Sequence, residues 1–222
     1  MDINDSDKQH EEKVSSLYAL LRFRVEGNLR YLSHAETMRV FQRACVRAGM
    51  RMTYSRGFNP HPRMSLVLPR SVGVESDDEM LCLRVEQHSP GFDTKAMQNE
   101  LPEGIEIVSV NMSPSNAVPE PNSVRYSIKT KKDCSGKSEK ELIEGLLAED
   151  KIVVERRIGK GPNTRPVDVR PFLESISAQP AGFVIDCKIS HEGTIRVDEI
   201  LGLLKLEVKD LKEPVRRLSV QY

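Results

Sequence analysis

"LYALLRFRVEG", residues 17–27, alternates apolar and polar side chains, and "SHAE", residues 33–36, follows six residues later. Side chains alternate across a strand, so Leu17, Ala19, Leu21, Phe23 and Val25 share one face while Arg22 and Arg24 share the other. Ser33 and Glu36 stand at capping-box spacing, which predicts a helix from there to about Ala48 with Gly49 as its stop. Met38, Phe41, Cys45 and Ala48 make its apolar stripe. Arg39, Arg43 and Arg47 recur every four residues and must share another face. The chain therefore opens strand then helix.

Working outward, "MRMTY" (50–54), "MSLVLP" (64–69) and "EMLCLRVEQ" (79–87) read as strands. "DTKAMQNEL" (93–101) reads as a short helix with Asp93 near its cap, and "IEIVSV" (105–110) as a closing strand. The order is β-α-β-β-α-β with one additional strand, the ferredoxin-like order. "SPSNAVPEPNS" (113–123) holds three prolines and little apolar surface and reads as a linker. The order then recurs. "VRYSIKT" (124–130) is a strand, and "SEKELIEGLLAE" (138–149) is a helix with a second capping box, Ser138 and Glu141. "KIVVERRI" (151–158) and "GFVIDCKIS" (182–190) are strands, "VDEILGLL" (197–204) a helix and "VRRLSVQY" (215–222) a final strand. The expectation is an α+β protein of two tandem ferredoxin-like (βαββαβ) domains with antiparallel sheets. An acidic, disordered tail (1–15) precedes the first domain (16–112), and the linker (113–123) leads to the second (124–222).

The composition suits a soluble chain: 222 residues, 38% hydrophobic and 30% charged. No apolar run approaches the ~20 residues that span a bilayer, and the first residues lack the basic flank and apolar core of a signal peptide. Cys45, Cys82, Cys134 and Cys187 form no CxxC pair, which argues against a zinc knuckle or a cluster held by this chain alone. Reduced thiols in a cytoplasm are the plain expectation.

The net charge is zero, but its parts are unlike. Residues 20–70 carry ten arginines, no lysine and two acids, whereas residues 71–122 carry two bases and ten acids. Arginine offers a planar fork for phosphate or carboxylate. These arginines either face an anionic partner or pair with the acidic block that follows.

"YSRGFNPHPRMSL" (54–66) is the most specialised loop. Asn59-Pro60 and His61-Pro62 hold two residues extended, and Gly57 permits a turn. Tyr54, Arg56, Phe58, Asn59, His61 and Arg63 then become candidates to stack on bases and bind phosphate, or to form an ordered turn. Arg30 and Tyr31 lead into Ser33 and His34 at the first helix start, where free N–H groups favour anions. If the loop folds back over the sheet, His34 and His61 could share a site as general base and acid for metal-independent RNA cleavage. Two histidines without a third ligand do not make a metal site, and no cofactor motif is present. A second basic feature, "RRIGKGPNTRPVDVRPF" (156–172), carries Arg156, Arg157, Lys160, Arg165 and Arg170 and reads as a basic hairpin-like arm or a solvated hairpin.

"LRFRVEGNLRYLSHAETMRVFQRACVRAGM", "YSRGFNPHPRMSL", "VGVESDDEMLCLRV" and "RPVDVRPFL" resemble the radical SAM-linked proteins of unknown function. The resemblance covers roughly residues 17 to 220. Its most specific motif is Tyr54-Ser55-x-Gly57-Phe58-Asn59-Pro60-His61-Pro62. Ala35 stands where the family has leucine after Ser-His. The resemblance implies a radical S-adenosylmethionine protein as partner and supplies no reaction. The doubled element order is similar, in architecture alone, to the CRISPR repeat-processing endoribonucleases. The resulting expectation is an accessory protein that holds RNA or another anionic substrate for a radical SAM partner. The alternatives are a metal-independent endoribonuclease using His34 and His61, and a protein–protein interaction module without nucleic acid.

Overall fold

The computed structural model describes residues 16–86, 92–114, 118–157, 159 and 161–222. The acidic-tail reading (1–15), part of the linker and Lys160 lie outside them. The fold is α+β, built on a mostly antiparallel sheet. The first half runs β1 (Ser16–Val25), α1 (His34–Arg47), β2 (Met64–Leu66), β3 (Glu75–Glu86), α2 (Thr94–Asn99) and β4 (Ile105–Ser113). The second half runs β5 (Ser123–Lys129), α3 (Lys137–Ala148), β6 (Val153–Arg157), β7 (Thr164–Asp168), β8 (Leu173–Gln179), β9 (Gly182–Lys188), α4 (Val197–Leu203) and β10 (Arg216–Gln221).

One sheet has the order β4-β1-β3-β10-β5-β9-β8, with β2 also on β3, and β6 and β7 form a separate hairpin. The apolar parity of β1 is borne out: Ala19, Leu21, Phe23 and Val25 are buried. Phe23 meets Phe41 of α1 edge-on, with ring centroids 4.6 Å apart. Apolar side chains gather in two clusters, one from residues 17–110 and one from Val74 with residues 124–222.

The halves join at β3 and β10, which pair in parallel at Arg216–Glu75 and Arg217–Ser76. Here the acidic run of β3 is consumed. Arg216 bonds Glu75 and Asp77, and Arg22 faces Asp78 at 3.4 Å. Arg217 donates to Glu79 at 2.9 Å and to the Leu68 carbonyl at 2.8 Å. Burial pushes the Glu79 carboxyl up, against the pull of Arg217 and Arg70.

Four expectations need correction. Residues 50–54 are not a strand. Met52 bridges Val85, and β2 takes over at Leu83, so 51–53 and 64–66 follow one line along β3 that the 54–63 loop interrupts. The strand at 151–158 belongs to the β6–β7 hairpin, and the strand beside β9 is β8. The latter is hard to read because a bulge between Leu173 and Ser175 breaks its alternation. "GKGPNTRPVDVRPF" is not one loop, since it contains β7 and a 3-10 turn at Arg170–Phe172. Finally, α3 is capped by Gly136 rather than Ser138, without a side-chain cap bond. A Cβ on Gly136 would lie 2.7 Å from the Glu139 carboxylate, so glycine makes room for that side chain.

Candidate functional site

The first capping box forms as read. The Glu36 N–H donates to Ser33 Oγ at 3.4 Å, and the Ser33 N–H donates to Glu36 Oε2 at 2.8 Å. Hydrogen bonds from Ser33 hold the Glu36 carboxyl below its usual range, with Arg39 adding a smaller pull. The helix start therefore already carries a carboxylate. His34 is exposed beside it, which is a poor setting for the anion expected there.

Arg39, Arg43 and Arg47 do share a face, where they line a shallow groove of about 400 Å³ with Gln42 and Val46. Arg47 is fixed by Glu100, whose carboxylate and carbonyl each accept at 2.7 Å. Arg39 and Arg43 are exposed and make no ion pair among the described residues. Between Glu36 and Glu75 the chain holds seven arginines and no acidic side chain.

The C-terminal end of α1 lies beside the base of the 54–63 loop. Met50 N–H donates to the Cys45 carbonyl, and Met52 pairs with Val85. The loop is braced from within. Ser55 N–H donates to the His61 carbonyl at 2.8 Å, Arg63 N–H to the Thr53 carbonyl at 2.9 Å, and His61 N–H to Ser55 Oγ at 2.9 Å. Gly57 has φ +137°, a conformation that L side chains rarely adopt. Arg56, Asn59, His61 and Arg63 are exposed. Tyr54 is 44% exposed, and Phe58 is fully exposed, at 107%, and packs in neither apolar cluster among the described residues.

The segments that carry His34 and His61 leave the sheet toward opposite ends of β3. His34 follows the Val25 end of β1, which pairs with Ser76, whereas the His61 loop leaves the sheet beside Arg84. Eight residues of β3 separate these points, about 26 Å at strand rise.

The remaining candidates divide. Arg24 pairs with Glu106 at 3.1 Å, and Arg22 also stacks over Tyr222. Arg30 stacks over Tyr31 at 4.3 Å and donates to its hydroxyl. With Arg47, three of the ten arginines in 20–70 form ion pairs with the acidic block among the described residues. In the second basic feature, Arg156 is buried against Glu199 at 2.6 Å and donates to the Thr194 carbonyl. Arg170 bonds the Leu147 and Glu149 carbonyls at the end of α3. Both guanidinium groups are engaged in holding the fold together rather than presented to a ligand. Arg157 and Arg165 remain exposed on the hairpin.

A family model described as "Uncharacterized protein conserved in bacteria (DUF2344)" matches residues 19–200. The chain belongs to that family. No curated protein matches it. The family description names no reaction and no partner, so the chemistry of this DUF2344 member rests on its own residues.

Two residues escaped the sequence reading. Arg51 is exposed at the base of the loop, and Gln42 lies in the arginine groove. Strand parity beside buried Met52 could have flagged the first, and helical spacing from Arg39 and Arg43 the second. All four cysteines are buried and free, and burial pushes Cys45 and Cys187 up to about 12. No group of three or more metal-binding side chains gathers among the described residues. No helix among them is long and apolar enough to cross a membrane.

Proposed function

We propose that this DUF2344 chain is an accessory binding protein. It holds RNA, or another polyanion, on a basic surface formed by the outer face of α1 and the 54–63 loop. One observation carries the reading: Arg39, Arg43, Arg51, Arg56 and Arg63 are exposed, make no ion pair among the described residues, and lie in a stretch without a carboxylate side chain. Such charges attract phosphates and release their counterions. The radical SAM partner belongs to the same proposal and is supported by the sequence resemblance. The tandem ferredoxin-like description is supported by strand order, since β4-β1-β3-β2 and β10-β5-β9-β8 each repeat a 4-1-3-2 pattern. In the second half β6–β7 is then an insertion.

The test is fluorescence anisotropy with a labelled 20-nucleotide RNA. Removing Arg39 and Arg43 together, or Arg56 and Arg63 together, weakens binding at least tenfold. Removing Arg157 and Arg165 from the hairpin changes it less. Equal losses at the two places would show that the chain attracts RNA by overall charge rather than through this surface.

A further inference from the structure

The loop carries more than charge. We infer that it is built to stack unpaired bases, so that the preferred ligand is a single-stranded nucleic acid. This inference rests on the proposed polyanion surface and narrows its substrate class.

Among the described residues Phe58 makes no packing contribution to the fold. It is fully exposed, belongs to neither apolar cluster and sits in a loop with Tyr54 also half out in solvent. Charge alone would bind a duplex, where phosphates line the outside and bases are hidden. Exposed rings add nothing there. Against an unpaired strand each ring offers a platform for any base, while Arg56 and Arg63 meet the backbone. The loop is shaped before it binds. Three hydrogen bonds close it, two prolines stiffen it and Gly57 sets its turn. A preformed loop loses little conformational freedom on binding.

The experiment compares one unstructured 12-nucleotide RNA, single-stranded and as its duplex, against the full chain and the Phe58→Ala and Tyr54→Ala variants. A 2-aminopurine in the strand reports stacking directly. Both side chains are solvent-exposed, and circular dichroism checks that each variant folds. The single strand binds at least tenfold tighter than the duplex and quenches the 2-aminopurine. Phe58→Ala weakens single-strand binding by roughly 5- to 100-fold, abolishes the quenching, and leaves duplex binding and the salt dependence unchanged.

Equal binding of strand and duplex, with Phe58→Ala silent, would overturn the inference while leaving the polyanion surface standing. Phe58→Ala that spares RNA but releases a purified radical SAM partner would also overturn it and assign the tip to protein contact. Failure of both RNAs to bind at 50 mM salt would remove the polyanion surface as well.

Discussion

Glu79 and Arg217, 138 residues apart in the chain, meet at 2.9 Å with side chains 1% and 3% exposed. They fasten the first half of the sheet to the second. Removing one partner leaves a charge buried without its counterion. Arg217→Met should therefore lower unfolding free energy by about 3–5 kcal/mol, whereas replacing both residues with apolar ones should cost much less. Urea denaturation of the two single variants and the double variant checks this. A near-neutral Arg217→Met would show that the seam does not depend on the pair.

Arg156 and Glu199 anchor the β6–β7 hairpin to α4 through bonds of 2.6 and 2.7 Å. Burial pushes the Glu199 carboxyl up, but bonds from Arg156 and the Arg196 N–H overrule it and leave it below the ordinary 4.5. The folded state thus holds the charged form more tightly than the unfolded chain does. That stability is fully present above 4.5 and is lost as pH falls through the lower folded value. Glu199→Gln should be less stable at neutral pH, and the gap to the native chain should narrow on acidification. Denaturation at a series of pH values measures the gap. A gap that widens in acid would reverse the sign.

Gly57→Ala meets no steric obstacle, because nothing lies within 4 Å of an added Cβ. It does strain a φ of +137°, at a cost of about 1–3 kcal/mol to that loop conformation. The loop relaxes instead of unfolding the core, so the thermal midpoint should hold while RNA affinity falls several-fold. Loss of both together would mean that the loop supports the fold.

His34 and His61 should act independently. Their segments leave β3 at Ser76 and at Arg84, and sites that share no partner couple by less than about 0.5 kcal/mol. A double-mutant cycle of His34→Ala and His61→Ala on RNA affinity should therefore close additively, and the native chain should leave RNA intact without metal. Cleavage lost in either single variant would restore the endoribonuclease reading.

Legibility followed the local signals. Alternation in β1 and the Ser33–Glu36 box were readable because each is complete within a few residues. The β8 strand was not, since its bulge at Leu173 and Ser175 erases the period. Arg156 and Arg170 looked like loop bases because what buries them is far along the chain: Glu199 for one, the carbonyl end of α3 for the other. Arg217 and Glu79 each had a local clue, inward parity with Val215 and with Leu81, Leu83 and Val85, but nothing local showed that they pair. The arginine face of α1 was legible as spacing. That it ends beside the 54–63 loop, and that His34 lies at the other end of β3, depends on which strands pair.

If the exposed arginines on α1 and the 54–63 loop bind a polyanionic strand, affinity must fall with salt. The most direct measurement is the slope of log affinity against log salt for a single-stranded RNA. A steep negative slope is expected, becoming shallower by about 1.4 when Arg39 and Arg43 are both replaced by alanine, at ~0.7 per phosphate contact on a single strand. An affinity indifferent to salt, or a slope unchanged in that double variant, would contradict it.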